Sequence, residues 1–510
     1  MSGRAMNRPT GPIPQNVPVI TAAVMAATTM NALDLTIANV ALPHMQGSVS
    51  ASADQITWVL TSYIVAAAIM TPMSGWLAGR FGRKNLMRVS MMGFVLASVF
   101  CGTATTLGEL VGFRLLQGLF GAALVPMSQA ILLDINPPER HGQAMAVWVM
   151  GAMLGPIMGP SLGGFLTENL SWRWVFFINI PVGLAAFVGM SFLREGERIE
   201  RPRLDILGFA MLALAIGSLQ LMLDRGQQLD WFSSWEIRFE AVAAVTCFIM
   251  FLIQMRLADA PFIDLALFAD RNFLFGCIFA FFLGILMFAT LSLLPPLLEH
   301  LMGYPVLFTG LVTMPRGLGS LITMTLVGRI IHRVDPRLLM LIGMVLSSIA
   351  MRSMAGFSLQ MDYRLVAVSG FIQGLGIGLV FVPLSTLAYA TLDARFRNEG
   401  AAMYTLIRNT GAAVGIAVLS AMNIRNSETV HARLVEGLRP DNPAVHNALS
   451  SLDFTDRASM VALNAQVNAQ AGMVSYVDAF WVLFIGALAL TPLILLMRAP
   501  RRAAAVKAKG

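Results

Sequence analysis

Runs of about 20 apolar residues recur along almost the whole chain, separated by short stretches that carry most of its charge. A helical run of that length crosses a ~30 Å hydrocarbon core, and inside lipid only helices or closed barrels satisfy every backbone polar group. Apolar windows read against charged breaks give about fourteen spans: 17–42, 55–76, 85–105, 109–132, 142–167, 173–193, 205–223, 236–256, 272–298, 306–331, 338–356, 364–388, 398–423 and 478–498. Only 12% of the 510 residues are charged. An average globular protein has about 25%, so this chain lacks the ions to coat a soluble fold. The reading is an all-α polytopic membrane protein. The first run holds Asp34 and has no A-x-A-like cleavage site, so it reads as a retained span and not a signal peptide.

Charge sets the orientation. With a cytoplasmic N-terminus, the inside segments hold 23 of the 35 Lys and Arg, and the short outside loops hold five. Such a bias is what positive-inside topology produces, and it implies an even number of spans with both termini cytoplasmic. It also accounts for the net charge of +7 without nucleic acid. The long polar segment 425–477 then falls outside the membrane, as a functional loop or a tolerated insertion.

The chain repeats itself. Gln117-Gly118-Leu119 and Val125-Pro126-Met127-Ser128 resemble Gln373-Gly374-Leu375 and Val382-Pro383-Leu384-Ser385, and Leu77-Ala78-Gly79-Arg80 resembles Leu326-Val327-Gly328-Arg329. The offset is eight spans. It predicts a cytoplasmic N-terminus (1–16), a six-helix half (17–193), two inserted helices (204–257), a second six-helix half (271–498, with the external loop 425–477) and a cytoplasmic tail (499–510). Transporters are often built from repeats with the substrate site between them.

Several functions are excluded. None of the three lysines follows a GxxxxGK[ST] pattern, so no P-loop is present and direct use of ATP is not expected. Cys101, Cys247 and Cys277 lie inside apolar runs with no metal-ligand or disulfide spacing. Among six histidines there is no H-E-x-x-H and no Ser/His/Asp grouping, so an enzyme is not expected. A passive channel does not call for the two-half repeat. No cofactor or metal is expected.

Asp34 reads as the one acidic residue well inside a span; Glu109, Asp134 and Glu299 sit at span ends. A carboxylate there costs at least ~2.5–3.5 kcal/mol on insertion scales, so it pairs or serves a function. Burial favours the neutral carboxyl and a nearby cation favours the anion, so a site pulled both ways can take up and release a proton. Asn31 lies one turn before it. Arg114 is the first candidate counter-charge, with Gln117 one turn later, and Gly370 occupies the matching place in the second half. Arg316 and Arg408 are further intramembrane cations, each a candidate to pair with Asp34 or to bind substrate. Gly411 and Gly415, one and two turns beyond Arg408, predict close packing of its helix.

Gly151, Gly155, Gly159 and Gly163 form a four-residue ladder on which two helices can approach closely. Pro156 and Pro160 should bend the same helix. Packing explains the ladder as well as a role in rocking does. The 34 Met and 31 Phe suit both lipid-facing packing and adaptable apolar binding.

These motifs, in this order, resemble a known family. Gly75-Trp76-Leu77-Ala78-Gly79-Arg80-Phe81-Gly82-Arg83-Lys84 resembles the loop signature of the major facilitator superfamily between its second and third helices. Arg114-Leu115-Leu116-Gln117-Gly118 is similar to its fourth-helix signature, and residues 151–164 resemble its fifth-helix antiporter signature. Leu33-Asp34-Leu35-Thr36-Ile37-Ala38-Asn39-Val40-Ala41-Leu42-Pro43, with Trp172-Arg173-Trp174, Asn179 and Pro181, points to the fourteen-helix drug:proton antiporter branch. Leu223-Asp224-Arg225-Gly226 followed by Asp230-Trp231-Phe232 is similar to the EmrB type. The resemblance implies proton-coupled export of lipophilic compounds, cationic or weakly acidic, from a bacterial inner membrane. Asp34 and Arg114 would couple protons, and Gly75, Gly82 and Arg83 would belong to a conformational loop. It further implies a periplasmic membrane-fusion adaptor and an outer-membrane channel, with 425–477 as a candidate contact. The alternative is a dedicated exporter of one endogenous metabolite or lipid. One departure stands out: Gly79 occupies a place where the family commonly has Asp, so the carboxylate expected to pair with the loop's basic residues is missing.

Overall fold

A computed structural model describes residues 16–137, 140–194, 204–331, 333–438 and 456–497. Of the expected cytoplasmic segments 1–16 and 499–510, all but Asn16 lie outside the described residues. Among those described, all regular structure is helical. The chain divides into two compact units: residues 1–219, 241–270 and 392–406 form unit 1, and 220–240, 271–391 and 407–510 form unit 2.

Unit 1 is built on α1 (Val17–Ser48), followed by α2 (Ala53–Ile56), α3 (Trp58–Met70), α4 (Met73–Phe81), α5 (Arg83–Thr103), α6 (Leu107–Gly121), α7 (Leu124–Ile135), α8 (His141–Asn169), α9 (Trp174–Phe177) and α10 (Asn179–Met190). Capping boxes start α2 and α6: Ser52 and Thr106 accept from the backbone three residues on, and Gln55 and Glu109 reach back. Gly82 ends α4 and opens α5 at φ +85°, ψ 148°, a backbone conformation essentially closed to side chains. The loop signature therefore needs its second glycine to make the turn.

The glycine ladder of α8 lies on α1. A Cβ on Gly155 would sit 2.5 Å from the Ala32 carbonyl carbon, and one on Gly159 would sit 2.0 Å from Thr36 Oγ1. Gly151 faces Met25 and Gly163 faces Ile37 along the same seam. Thr29 and Thr36 close it by donating to the carbonyls of Gly151 (2.8 Å) and Gly155 (3.2 Å). Helix α8 runs without interruption across the two prolines; the side chains of Pro156 and Pro160 lie outside the described residues.

Next come α11 (Ile206–Arg225), α12 (Trp235–Leu257) and the short α13 (Ala266–Ala269). Unit 2 contains α14 (Arg271–Pro296), α15 (Val306–Ile330), α16 (Pro336–Met354), α17 (Tyr363–Ala390), most of α18 (Arg397–Gly437) and α19 (Arg457–Leu490). Asp335, Asp362 and Asp456 cap α16, α17 and α19 by accepting backbone N–H groups. Gly411 and Gly415 bring α18 onto α14, where Cβ atoms would fall 2.0 Å from the Phe281 carbonyl oxygen and 2.8 Å from Ile285 Cα.

The repeated Gln-Gly-Leu has a physical basis in each unit. Added Cβ atoms would fall 2.4 Å from the Tyr63 carbonyl oxygen at Gly118 and 2.0 Å from that of Arg316 at Gly374. In each case the glycine admits a neighbouring helix backbone.

One expectation is left unconfirmed and another changes. Ten helices among the described residues are long and apolar enough to cross a membrane, and the bent pair Asp54–Met70 with Met73–Phe81 makes up to eleven. Helices also occupy the expected ranges 142–167, 173–193 and 236–256, but the count of fourteen is not confirmed. The segment 425–477 is not a loop at either end: α18 continues to Gly437 and α19 begins at Arg457, with 439–455 outside the described residues. Buried Leu463, Val467 and Ala471 recur every four residues on α19, and His431–Asn464, Asn423–Ser475 and Asn426–Asp478 contacts tie it to α18. A polar composition hid an amphipathic pair.

Candidate functional site

The buried polar residues of unit 1 converge on Asp34, at mid-length of α1. Its side chain has no solvent exposure and neither has that of Arg114, which α6 brings opposite it. Arg114 Nη1 donates to Asp34 Oδ2 at 2.5 Å and to Gln117 Oε1 at 2.9 Å, and its Nε donates to the Val59 carbonyl at 3.0 Å. Gln117 Nε2 then donates to Asp34 Oδ1 at 2.9 Å. The i, i+3 spacing of Arg114 and Gln117 puts both on one helix face, so a single rigid element supplies a cation and an amide to one carboxylate. The guanidinium carbon stands 4.4 Å from the centre of the Tyr63 ring and 5.7 Å from that of Phe176. Aromatic faces thus enclose the cation.

Asn31 does not touch the carboxylate. It donates to the Tyr63 hydroxyl at 2.8 Å and to the Gly121 carbonyl at 3.4 Å, holding the ring that covers Arg114. Asn179, which opens α10, donates to Asp34 Oδ1 at 2.9 Å and to Ser98 Oγ at 3.0 Å. Ser98 in turn donates to the Phe176 carbonyl at 2.8 Å. Ser98 and Tyr63 carry no role in the sequence reading, and Asn179 enters it only through the family resemblance, since a single amide or hydroxyl in an apolar helix has several places to bond. Beyond that resemblance, their only trace in the sequence is a polar atom within an apolar run.

Of the three candidate cations, Arg114 is the one bonded to Asp34; Arg316 and Arg408 lie in unit 2. Arg408 donates to Asn409 Oδ1 at 3.1 Å and stands 5.6 Å from the centre of the Phe381 ring. Arg316 donates to the Met287 carbonyl at 2.7 Å. Asp34 is also not alone as a buried acid: Glu240 on α12 is buried, and its Oε2 has no hydrogen-bond partner among the described residues. Its closeness to the charged start of the eighth apolar run concealed it.

The loop residues form a cluster in unit 1. Arg83 pairs with Asp134 at the end of α7, and Arg397 at the start of α18 donates to the same carboxylate at 3.0 Å. Arg83 Nε also donates to Asn398 Oδ1 at 2.6 Å. Gly75 lets this end of α18 approach, since its Cβ would fall 3.0 Å from Glu399 Cα. The carboxylate missing at Gly79 is thus replaced by one from another helix. Among the described residues no group of His, Cys, Asp and Glu is arranged to hold a metal ion.

Residues 24–416 match the Major Facilitator Superfamily. The chain belongs to the major facilitator superfamily. Its members among the relatives include the "Multidrug export protein EmrB" of Escherichia coli K12, 37% identical over 471 residues, which cover 91% of this chain and 92% of that protein. The "Fatty acid resistance protein FarB" of Neisseria gonorrhoeae is 34% identical over 487 residues, covering 94% and 96%. Among solved structures, the superfamily's proton:xylose symporter XylE superposes with a TM-score of 0.60 at 12% identity, covering 94% of this chain and 98% of its own. The fold is that of a superfamily transporter. The protein is an integral membrane transporter and not an enzyme.

Proposed function

We propose that the protein is a proton-coupled multidrug antiporter that exports lipophilic compounds across a bacterial inner membrane by alternating access. One observation carries this reading: the Asp34–Arg114 pair is buried at mid-helix and completed by Gln117 and Asn179. Protonating Asp34 cancels one charge of the pair and leaves Arg114 buried beside a neutral acid. Removing one partner of a buried pair costs about 3–5 kcal/mol, enough to favour a second arrangement of the helices that hold it. Return of the proton to the other side restores the pair. Coupling then needs only that cargo and proton favour different arrangements. No cofactor is needed, because the proton gradient supplies the energy.

The breadth of cargo follows from similarity to proteins named for multidrug export. Topological charge favours cytoplasmic termini. The long α18–α19 pair then stands on the periplasmic side, where it is suited to meet a membrane-fusion adaptor leading to an outer-membrane channel. A second reading, a dedicated exporter of one metabolite or lipid, draws on similarity to a protein named for fatty acid resistance.

The test is uptake of a fluorescent lipophilic cation into proteoliposomes under an imposed pH gradient, for wild type and Asp34→Asn. Gradient-driven uptake lost in the variant, with binding kept, is the expected result. Equal uptake in both rejects Asp34 as the coupling site. A wild type that moves one compound class out of many favours the dedicated exporter.

A further inference from the structure

Helices α18 and α19 change character at the same level. Residues 409–424 and 479–497 carry no charge, whereas 425–437 of α18 and 457–478 of α19 are rich in polar residues. Ser475 donates to Asn423 Oδ1 at 2.6 Å and Asn426 donates to Asp478 Oδ2, so hydrogen bonds hold the two transitions in register. Arg425 and Asp478 are therefore the first charges met on leaving the apolar part of either helix here. The last turn of α16 reaches the same place: the Arg352 guanidinium carbon stands 4.6 Å from the centre of the Trp481 ring. A tryptophan and two arginines at the end of apolar runs mark the headgroup level of a bilayer.

At this level unit 2 has a groove of about 520 Å³ between α18 and α19, with Arg425 and Asp478 in its lining. Trp481, Val482 and Ile485 line it too and lead along the uncharged part of α19, all three exposed. Asp478 accepts from Asn426 and makes no pair with Arg425, whose guanidinium has no partner among the described residues. The groove thus offers an unused fork of N–H donors, a carboxylate with lone pairs to spare, and an apolar track pointing into the hydrocarbon.

Its occupant has to match all three. A phosphate suits the guanidinium fork, a primary ammonium donates to the carboxylate, and acyl chains follow the track. An anionic lipid supplies the phosphate but sets its net charge against Asp478. A trimethylammonium head has no N–H to donate, and a lipophilic cation leaves Arg425 unmatched. A neutral amphiphile carrying both charges is the complement.

We propose that this groove binds one zwitterionic phospholipid with a primary-ammonium head, phosphatidylethanolamine in type, its phosphate on Arg425 and its ammonium on Asp478. The inference needs only the membrane-spanning fold and stands apart from the export reading. With cytoplasmic termini, the lipid belongs to the periplasmic leaflet and sits at the base of the α18–α19 extension.

The test uses the full-length protein, delipidated in mild detergent and titrated with phosphatidylethanolamine, phosphatidylcholine and phosphatidylglycerol of identical acyl chains. Native mass spectrometry reads the first lipid bound. Wild type should prefer phosphatidylethanolamine to phosphatidylcholine by about 10-fold, as one charge-assisted hydrogen bond predicts. Asp478→Asn, which can still accept from Asn426, should bring the two lipids within about twofold of each other. Arg425→Gln should weaken both by about 10-fold and leave their ratio alone, since it removes only the phosphate contact. Arg364→Gln, which removes an exposed charge at the start of α17, should change neither. The proposal is overturned by a wild type without the preference, by a preference kept in Asp478→Asn, or by affinities unmoved in Arg425→Gln. Phosphatidylglycerol bound as tightly as phosphatidylethanolamine overturns it too, because a phosphate contact alone then explains binding. Should Asp478→Asn fail to fold, mono- and dimethylated ethanolamine lipids decide the matter in the wild type: affinity should fall with each N–H lost, and a flat series overturns the proposal.

Discussion

Arg114 Nη1 and Asp34 Oδ2 stand 2.5 Å apart with both side chains wholly removed from solvent, and the same nitrogen also reaches Gln117. Such a pair is costly to break and cheap to replace as a unit. Asp34→Asn and Arg114→Gln should each destabilise the protein by about 3–5 kcal/mol. The double variant should recover most of that loss, because no unpaired charge stays behind. Thermal unfolding in one detergent, read as a double-mutant cycle, checks this.

The seam between α1 and α8 gives a second prediction. Gly155→Ala places a methyl group against the Ala32 backbone, which has no rotamer by which to withdraw. Overpacking of this kind costs about 1–3 kcal/mol. Gly164→Ala, with nothing within 4 Å of the added atom, should be silent. Melting temperatures of the two variants should separate clearly; equal values would mean the seam has slack.

Gly82→Ala addresses the turn between α4 and α5. At φ +85° an alanine carries strain of about 1–3 kcal/mol. The expected result is a lowered melting temperature with the Asp34 site intact, shown by unchanged substrate binding.

The cap of α19 should respond to acid. Asp456 accepts from the backbone of Ala458 and Ser459 and from the Ser459 hydroxyl, and these donors hold its carboxyl below the usual carboxylate range. A carboxyl that binds protons less readily in the folded helix stabilises the fold above its ordinary value, about 3.9. That stabilisation is lost as pH falls through the lowered value. Amide-exchange protection at the start of α19 should therefore stay flat from neutral pH to about 5 and decline below 4. Asp456→Asn, which still caps the helix, should flatten the acid end.

What the sequence made legible follows from how many alternatives each signal leaves. A charge in a long apolar run has few explanations, which is why Asp34, Arg114 and Gln117 stood out together. The glycine ladder was readable because only contact with another backbone rewards four glycines at one spacing. Tyr63 and the bond of Asn179 to Asp34 were not, since one polar atom in a helix can bond its own turn, a neighbour or nothing. Glu240 was lost because its run begins among charges. The α18–α19 pair escaped because its periodicity is carried by Leu463, Val467 and Ala471 in an otherwise polar stretch. The partner of Arg83 could not be read from the loop: Gly79 removed the nearby acid, and Asp134 lies more than 50 residues away in the sequence.

The seam has one more consequence. Gly155 presses on the backbone of Ala32 and Leu33, next door to Asp34, and Gly159 presses on Thr36, half a turn beyond. The teeth of α8 thus mesh with α1 on both sides of its carboxylate. A screw motion of α1 would have to strip those teeth or turn both shafts at once. Whatever moves Asp34 moves α8 with it, so the two helices work as a single gear.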